Sequence, residues 1–399
     1  VVKITISLDE YRDRIRRARE EMARRGLEAL LLTSDKGIFY LSGFTHMTTE
    51  RPAILVVPQD GDLIFLGPLL EVDHLKHQTK IVGDVRTYID YPGERHPIEL
   101  FAAWLSELGY GKAKIGIDNP AGAAGVSGYT GPPLNEKMSN ATFVRAGDIV
   151  WNLRLIKSSE EIALIEESAK WGNLAHTLLQ DYTEPGLWDV DVSLMASMEA
   201  SSIMKKTLGS EYEQVRSGRS PASAGFRGQV GWKSAMPHSI GTGEVIRDGD
   251  VLVTGAGADV GGYNSELERT MIVGEPTPKQ KRYFEAMMKA QDAALAALGP
   301  GVKCSEVDKA ANKVIVDAGY GDLIRHHTGH GIGLDGHEPP WLDMGSDVEL
   351  RPGMVVSCEP GIYELGFGGF RHSDTVVITE DGADVVTYYP RDLESLTIR

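Results

Sequence analysis

Cysteine is nearly absent, with Cys304 and Cys358 the only two in 399 residues. Two thiols cannot build a disulfide framework or a thiolate zinc site, and their scarcity fits a reducing compartment. Long apolar runs are missing too. The stretches ALLL at Ala29–Leu32 and AILVV at Ala53–Val57 fall far short of the ~20 residues that a membrane helix requires. The start, VVKITISLDEY, shows no charged leader before an apolar segment, so a cytoplasmic protein with no membrane partner is expected. Positive charge is in the minority. Against 57 Asp and Glu stand 41 Lys and Arg, and the net charge of −16 disfavours binding to nucleic acid or anionic membranes. No internal repeat is visible.

What is present is an ordinary globular composition, 42% apolar and 25% charged. The length exceeds a usual domain of about 100 to 200 residues, so two domains are expected. Ser7 and Glu10 form a capping pair that opens a helix to about Arg25, with Tyr11, Ile15, Ala18 and Met22 along one stripe. Its arginines are interleaved with Asp13, Glu20 and Glu21, which marks a solvated face and not a nucleic-acid patch. Runs at 29–32, 53–57 and 63–66 read as strands, and the Gly, Pro and Ser density over 116–133 reads as loop. A second capping pair, Ser158 and Glu161, begins a helix running towards Tyr182. The domain boundary is placed there, giving an α/β domain over residues 1–157 and a second domain over 158–399. The second carries helical segments near 186–206, 277–298 and 305–318. They alternate with strand-like runs at Val251–Thr254, Thr270–Val273, Met354–Cys358 and Thr375–Thr379, which suggests α+β packing.

Five segments concentrate residues able to do chemistry. AMPHSIGTG puts His238 in a turn after a proline, where a ring can project into a cavity. VLVTGAGADVGGYNSELERT carries Gly255, Gly257 and Gly261, which loosely suggest a dinucleotide fingerprint, but the chain then returns to a strand where a helix would be needed. The same segment carries Glu266 and Glu268, which the period of a strand would aim at one face. Two close carboxylates repel, so one pKa rises or a cation binds. RHHTGHGIGLDGHEPP places four of the chain's 11 histidines, His326, His327, His330 and His337, within 12 residues. Its glycines are expected to let the backbone approach whatever occupies the site. RPGMVVSCEPGIY ends an apolar run at Glu359, and GGFRHSDTVVIT carries Arg371 and His372. A carboxylate in such a place is costly to bury without a cation or donor nearby.

In order, and with YLSGF at Tyr40–Phe44 and RLIKSSEE from Arg154 to Glu161, these segments resemble the creatinase, methionine aminopeptidase and prolidase superfamily over nearly the whole chain. The resemblance implies an α+β fold: a pita-bread C-terminal catalytic domain preceded by a creatinase-type α/β N-terminal domain. Metallopeptidases of the superfamily hold two metals through Asp, Asp, His, Glu and Glu. Those positions fall here on Gly255, Glu266, His330, Glu359 and Ser373. Glycine offers no ligand and serine replaces a bridging carboxylate poorly, so a binuclear site is not expected. No metal or other cofactor is the main expectation, and a single divalent metal on Glu266, His330 and Glu359 is the minor one.

Creatinase, a metal-free branch, has a Pro-His turn matched here by His238 and an L-E-R-T segment matched by Leu267–Thr270. The combination of ELERT, GHGIG and CEPGIY most resembles the ectoine hydrolases. That resemblance implies metal-independent opening of the cyclic amidine ring of ectoine to N-acetyl-L-2,4-diaminobutyrate, in osmolyte degradation. On it, Glu266 attacks the amidine carbon or activates water, Glu268 and Glu359 stabilise the cation, His238 moves protons and His330 orients a carboxylate. Arg51, His337 and Arg371 would bind the small-molecule substrate, with Arg51 supplied across a homodimer that shares its active sites. The alternatives are a creatinase-like amidinohydrolase, an X-Pro metallopeptidase and a non-catalytic pita-bread binding module.

Overall fold

The structure, a computed structural model, describes residues 4–119, 131–215 and 220–399. The chain divides into two compact units, one of residues 6–154 and one of 155–399 joined by Ile4 and Thr5. Most of the loop-rich stretch expected over 116–133 lies outside the described residues.

In the first unit the helix Leu8–Arg24 is capped by Ser7, whose Oγ accepts a hydrogen bond from the Glu10 amide at 3.2 Å. Its buried stripe holds Ile15, Ala18 and Met22, together with Arg14, whose guanidinium is satisfied by Glu10 and the Tyr40 carbonyl. Six strands, β1 (Ala29–Leu32), β2 (Ile54–Pro58), β3 (Leu63–Pro68), β4 (Val82–Tyr88), β5 (Lys114–Ile117) and β6 (Thr142–Arg145), form one sheet in the order β4-β3-β2-β1-β5-β6. Strand β1 lies at its centre, antiparallel to β2 and parallel to β5. Every residue of β1, β2 and β3 is buried, which is why they read in the sequence as unbroken apolar runs and not as alternating ones.

The second unit opens with the helix Ser159–Tyr182, held by a reciprocal capping box between Ser158 and Glu161. A Cβ on its Gly172 would stand 3.1 Å from the Gly257 Cα, so two glycines let this helix approach a strand closely. The other long helices are Asp189–Leu208, Pro278–Ala297 and Cys304–Asp317. Strands β7 (Ala222–Gly225), β8 (Val251–Val253), β9 (Gly255–Val260), β10 (Tyr263–Asn264) and β11 (Thr270–Val273) form two small sheets, the second completed by Thr397–Ile398. Strand β9 turns through Gly261 and Gly262, at φ 57 and 85°, and pairs antiparallel with β10. That hairpin replaces the strand-to-helix turn a dinucleotide site requires.

Five strands, β12 (Gly329–Gly331), β13 (Glu338–Leu342), β14 (Val355–Cys358), then β17 (Asp374–Ile378) and β18 (Ala383–Val385), form the sheet β13-β12-β14-β17-β18. Between β14 and β17 in the chain lie β15 (Gly361–Glu364) and β16 (Gly368–Arg371), which pair with each other. Apolar residues of β14 and β17, among them Val356, Cys358, Val376 and Ile378, pack with Ala294, Val307 and Ala311 into a core under this sheet. Both cysteines are buried thiols, consistent with their use as small apolar residues.

Candidate active site

Two backbone hydrogen bonds of 3.0 Å, exchanged between Glu268 and Ser373, clamp the Glu266–Glu268 segment against the start of β17. The segment is not part of a regular strand. It is extended and makes only isolated bridges, Leu267 with Ala256 and Glu268 with Ser373. Extended geometry still alternates side chains, so Leu267 is fully buried while Glu266 and Glu268 turn to the other side. Glu359 follows β14 directly, and carboxylate oxygens of Glu266, Glu268 and Glu359 lie within 4.8 Å of one another.

His330 comes from β12, between two glycines. A Cβ on Gly329 would stand 2.1 Å from the Ser357 carbonyl oxygen, and one on Gly331 would stand 2.2 Å from that of Pro339. These glycines therefore serve strand packing and not, as expected, close approach to a ligand. The His330 Nδ1–H donates to the Gly331 carbonyl at 3.0 Å. Its Nε2 is left buried without a hydrogen bond, 3.1 Å from Glu359 Oε1 and 3.9 Å from Glu266 Oε2. The His337 ring stacks on that of His330 with centroids 3.6 Å apart.

Arg371, at the end of β16, bonds Glu268 Oε2 through Nε and lies 3.7 Å from Glu359 Oε2. Arg227 bonds the other oxygen of Glu268, and the Ser373 hydroxyl donates to Glu266 Oε1 at 2.7 Å. The environment pushes the carboxyls apart. Burial, reinforced by the charges of Glu359 and Glu268, raises the pKa of Glu266. Burial also opposes ionisation of Glu359, but His330 and Arg371 outweigh it and hold its pKa below the usual carboxylate range. For His330, burial disfavours the proton, yet Glu359 and Glu266 prevail and raise its pKa to about 9. These groups titrate as one coupled set.

A pair of metals does not fit these residues. Position 255 supplies no ligand, and a Cβ built there would lie 3.2 Å from Arg227 Nε, so a guanidinium fills the space beside it. At position 373 stands a hydroxyl already committed to Glu266. Donors for one cation are present: Glu266, His330 and His337, and likewise Glu266, Glu268 and Glu359, bring donor atoms within 4.8 Å of one another, with His330 Nε2 3.1 Å from Glu359 and 3.9 Å from Glu266.

Six of the expected residues thus meet in one place: Glu266, Glu268, Glu359, His330, His337 and Arg371. His238 is exposed and makes no hydrogen bond or ion pair among the described residues, although its charge is felt at His337. Arg51 belongs to the first unit, where Asp90 at 2.8 Å and Glu50 at 2.7 Å hold it. His372 is buried against Phe284 with neither ring nitrogen hydrogen-bonded, a structural group. Two residues of the site were not foreseen. Tyr363 bonds His326 Nε2 at 2.8 Å and Arg371 Nη1 at 3.2 Å, and alternation along CEPGIY is the signal that could have found it. Arg227 had no signal, because GFRGQV carries no motif. Arg227, Glu266, Glu268 and Gly255 line a cavity of about 630 Å³.

Residues 163–380 match Metallopeptidase family M24, and residues 14–156 match the creatinase/prolidase N-terminal domain. A protein named probable dipeptidase PepE, from Mycobacterium bovis, is 32% identical over 96% of this chain and 96% of its own. The Xaa-Pro dipeptidase of Pyrococcus horikoshii is 28% identical over 97% of this chain and 100% of its own. Among solved structures, dipeptidase PepE from Mycobacterium ulcerans superposes with a TM-score of 0.82 at 28% identity, covering 99% of this chain and 100% of that one. These findings correct two expectations. Relatives named as dipeptidases within a metallopeptidase family overturn both the opening of the ectoine ring and the metal-independent chemistry, and an expectation of no metal has no support in that family. The error came from reading two lost ligands as loss of the whole centre. The chain is a hydrolase of the Metallopeptidase family M24, with a creatinase-type N-terminal domain in front of a pita-bread catalytic domain.

Proposed function

We propose that this chain is a peptidase that cleaves short peptides of the Xaa-Pro type, with one divalent cation at Glu266, His330 and Glu359. The observation that carries the proposal is the buried His330 Nε2, without a hydrogen bond and aimed at Glu359 and Glu266 from 3.1 and 3.9 Å. The Xaa-Pro preference is supported by the names of the relatives. When bound, such a cation polarises the scissile carbonyl and acidifies a water.

The chain's own groups share the remaining work. Ser373 fixes the orientation of Glu266, and the Nδ1–H bond to Gly331 fixes the ring of His330. His337, exposed beside that ring, is placed to hand a proton to the departing nitrogen. Glu268, bonded to two guanidiniums, holds Arg371 and Arg227 in place. Incubation of metal-stripped protein with Gly-Pro and Ala-Pro, with and without added Mn²⁺, Co²⁺ or Zn²⁺, tests this. Release of proline only with an added ion is expected; turnover unaffected by chelator, or no turnover with any ion, contradicts it.

Three further features are proposed. The domain boundary falls between residues 157 and 158, at the cap of the helix Ser159–Tyr182 and close to the division of the two compact units after residue 154. The protein works as a homodimer in which Arg51 of the partner subunit reaches each pocket, so mixing Arg51→Ala with Glu266→Gln chains should restore activity that neither has alone. Its location is cytoplasmic, supported by the scarcity of cysteine; no helix among the described residues is long and apolar enough to cross a membrane.

A further inference from the structure

Glu268 carries one charge and meets two guanidiniums. That of Arg371 is buried and fully engaged, with Nε on Glu268, Nη1 on Tyr363 at 3.2 Å and Nη2 on Gln229 at 3.4 Å. Arg227 is different. It reaches Glu268 and Gln229 through Nη2 alone, and its Nε and Nη1 make no hydrogen bond among the described residues. Its side chain is 50% exposed and borders the cavity of about 630 Å³. The missing side chain of Gly255 leaves room for this guanidinium, since a Cβ there would lie 3.2 Å from its Nε.

The backbone adds an independent observation. Arg227 has φ 51°, and among the described residues it is the only non-glycine at positive φ. That conformation is disfavoured for a residue with a side chain. Arg227 and Gly228, at φ 74°, are the central pair of a tight turn closed by the Gln229 amide on the Phe226 carbonyl at 2.7 Å, and this turn sets where the guanidinium stands.

We propose that Arg227 is the specificity residue that anchors the substrate's carboxylate. Its Nη1, which makes no other hydrogen bond among the described residues, donates to the C-terminal carboxylate of a short peptide, while Glu268 holds the arginine through Nη2. A guanidinium held in place by an internal carboxylate keeps its charge and presents a charge-assisted donor to a ligand carboxylate. The identity of the substrate rests on the peptidase proposed above, but carboxylate binding can be measured apart from turnover.

Calorimetric titration with N-acetylglycine and with N-acetylglycinamide tests the anchor in wild type, Arg227→Gly and Arg227→Lys. Glycine adopts φ 51° without strain, so Arg227→Gly removes the guanidinium without stressing the backbone. The acid should bind wild type roughly tenfold tighter than the amide, Arg227→Gly should level the two, and Arg227→Lys should keep part of the preference. On Gly-Pro, KM should rise by about tenfold in Arg227→Gly and kcat should change less than KM. An acid preference that survives in Arg227→Gly, or none in wild type, overturns the proposal, as does a fall in kcat at constant KM. If wild type hydrolyses no dipeptide yet loses its acid preference on Arg227→Gly, the anchor stands and the peptidase proposal falls.

Discussion

His176 and His372 are buried in the catalytic unit where a proton has no counter-charge. His176 Nε2 is bonded to Thr254 Oγ1 at 2.7 Å, and burial, with the charge of Arg269 adding to it, lowers its pKa to about 3. Burial and the charge of Arg269 also lower that of His372. Both folded values lie below the unfolded value of about 6.5, so below that pH the unfolded chain binds more protons than the folded one. The stability that depends on their neutrality is complete above about pH 6.5 and is lost as pH falls towards the folded pKa. His176 alone should cost about 2 kcal/mol between pH 7 and pH 5. Urea unfolding at the two pH values should show this loss in wild type and a smaller one in His176→Gln; equal losses would remove His176 from the acid response. At this scale the sequence was legible where chemistry-bearing residues cluster in order, as with Glu266, Glu268, His330 and Glu359. Arg227 was not legible, because its role arises from a left-handed backbone and from the path that brings it to Glu268. His372, next to Arg371 in a segment rich in chemistry-bearing residues, is a core residue by burial.

The active-site strands depend on contacts that leave little room. Gly331→Ala puts a methyl against the Pro339 carbonyl, where an unrelaxed Cβ would be only 2.2 Å away. It should destabilise the fold by about 1–3 kcal/mol and displace His330, lowering activity more than stability alone accounts for. Wild-type activity and unfolding midpoint in Gly331→Ala would show that the strand can yield. Arg269 ties the clamp together, donating to the carbonyls of Glu268 at 2.7 Å and Ser373 at 3.0 Å and to Asp374 at 2.8 Å. Arg269→Met leaves the buried Asp374 carboxylate with only the more distant Arg391, 4.0 Å away, a loss of about 3 kcal/mol, to be read from chemical unfolding. A change within about 0.5 kcal/mol would mean that Gln291 and Thr387, which also bond Asp374, suffice. Capping pairs placed both long helices well, since Ser7 and Ser158 act locally on the first turn. The extended Glu266–Glu268 segment met the one-face expectation without being a regular strand, because alternation needs only an extended backbone. The glycines near His330 were misread because the sequence shows a missing side chain but not the carbonyl pressed against it.

Across the whole chain, order of motifs identified the superfamily, and inspection of single positions then led the functional expectation astray. Gly255 and Ser373 remove two of five ligand positions, yet the other three still converge, with His330 Nε2 3.1 Å from Glu359 and 3.9 Å from Glu266. Geometry among residues far apart in sequence, 266, 330 and 359, decides whether a remnant centre can hold an ion, and spacing in the sequence does not reveal it. The central claim is a one-cation centre in a fold that resembles two-cation enzymes. Metal content per chain, measured by plasma mass spectrometry after loading metal-stripped protein with Mn²⁺ and removing the excess, tests it most directly when paired with hydrolysis of Gly-Pro on the same sample. The account predicts one ion per wild-type chain, activity that rises in proportion to it, and loss of both in Glu266→Gln. Two ions per chain, or full activity with none, would contradict it.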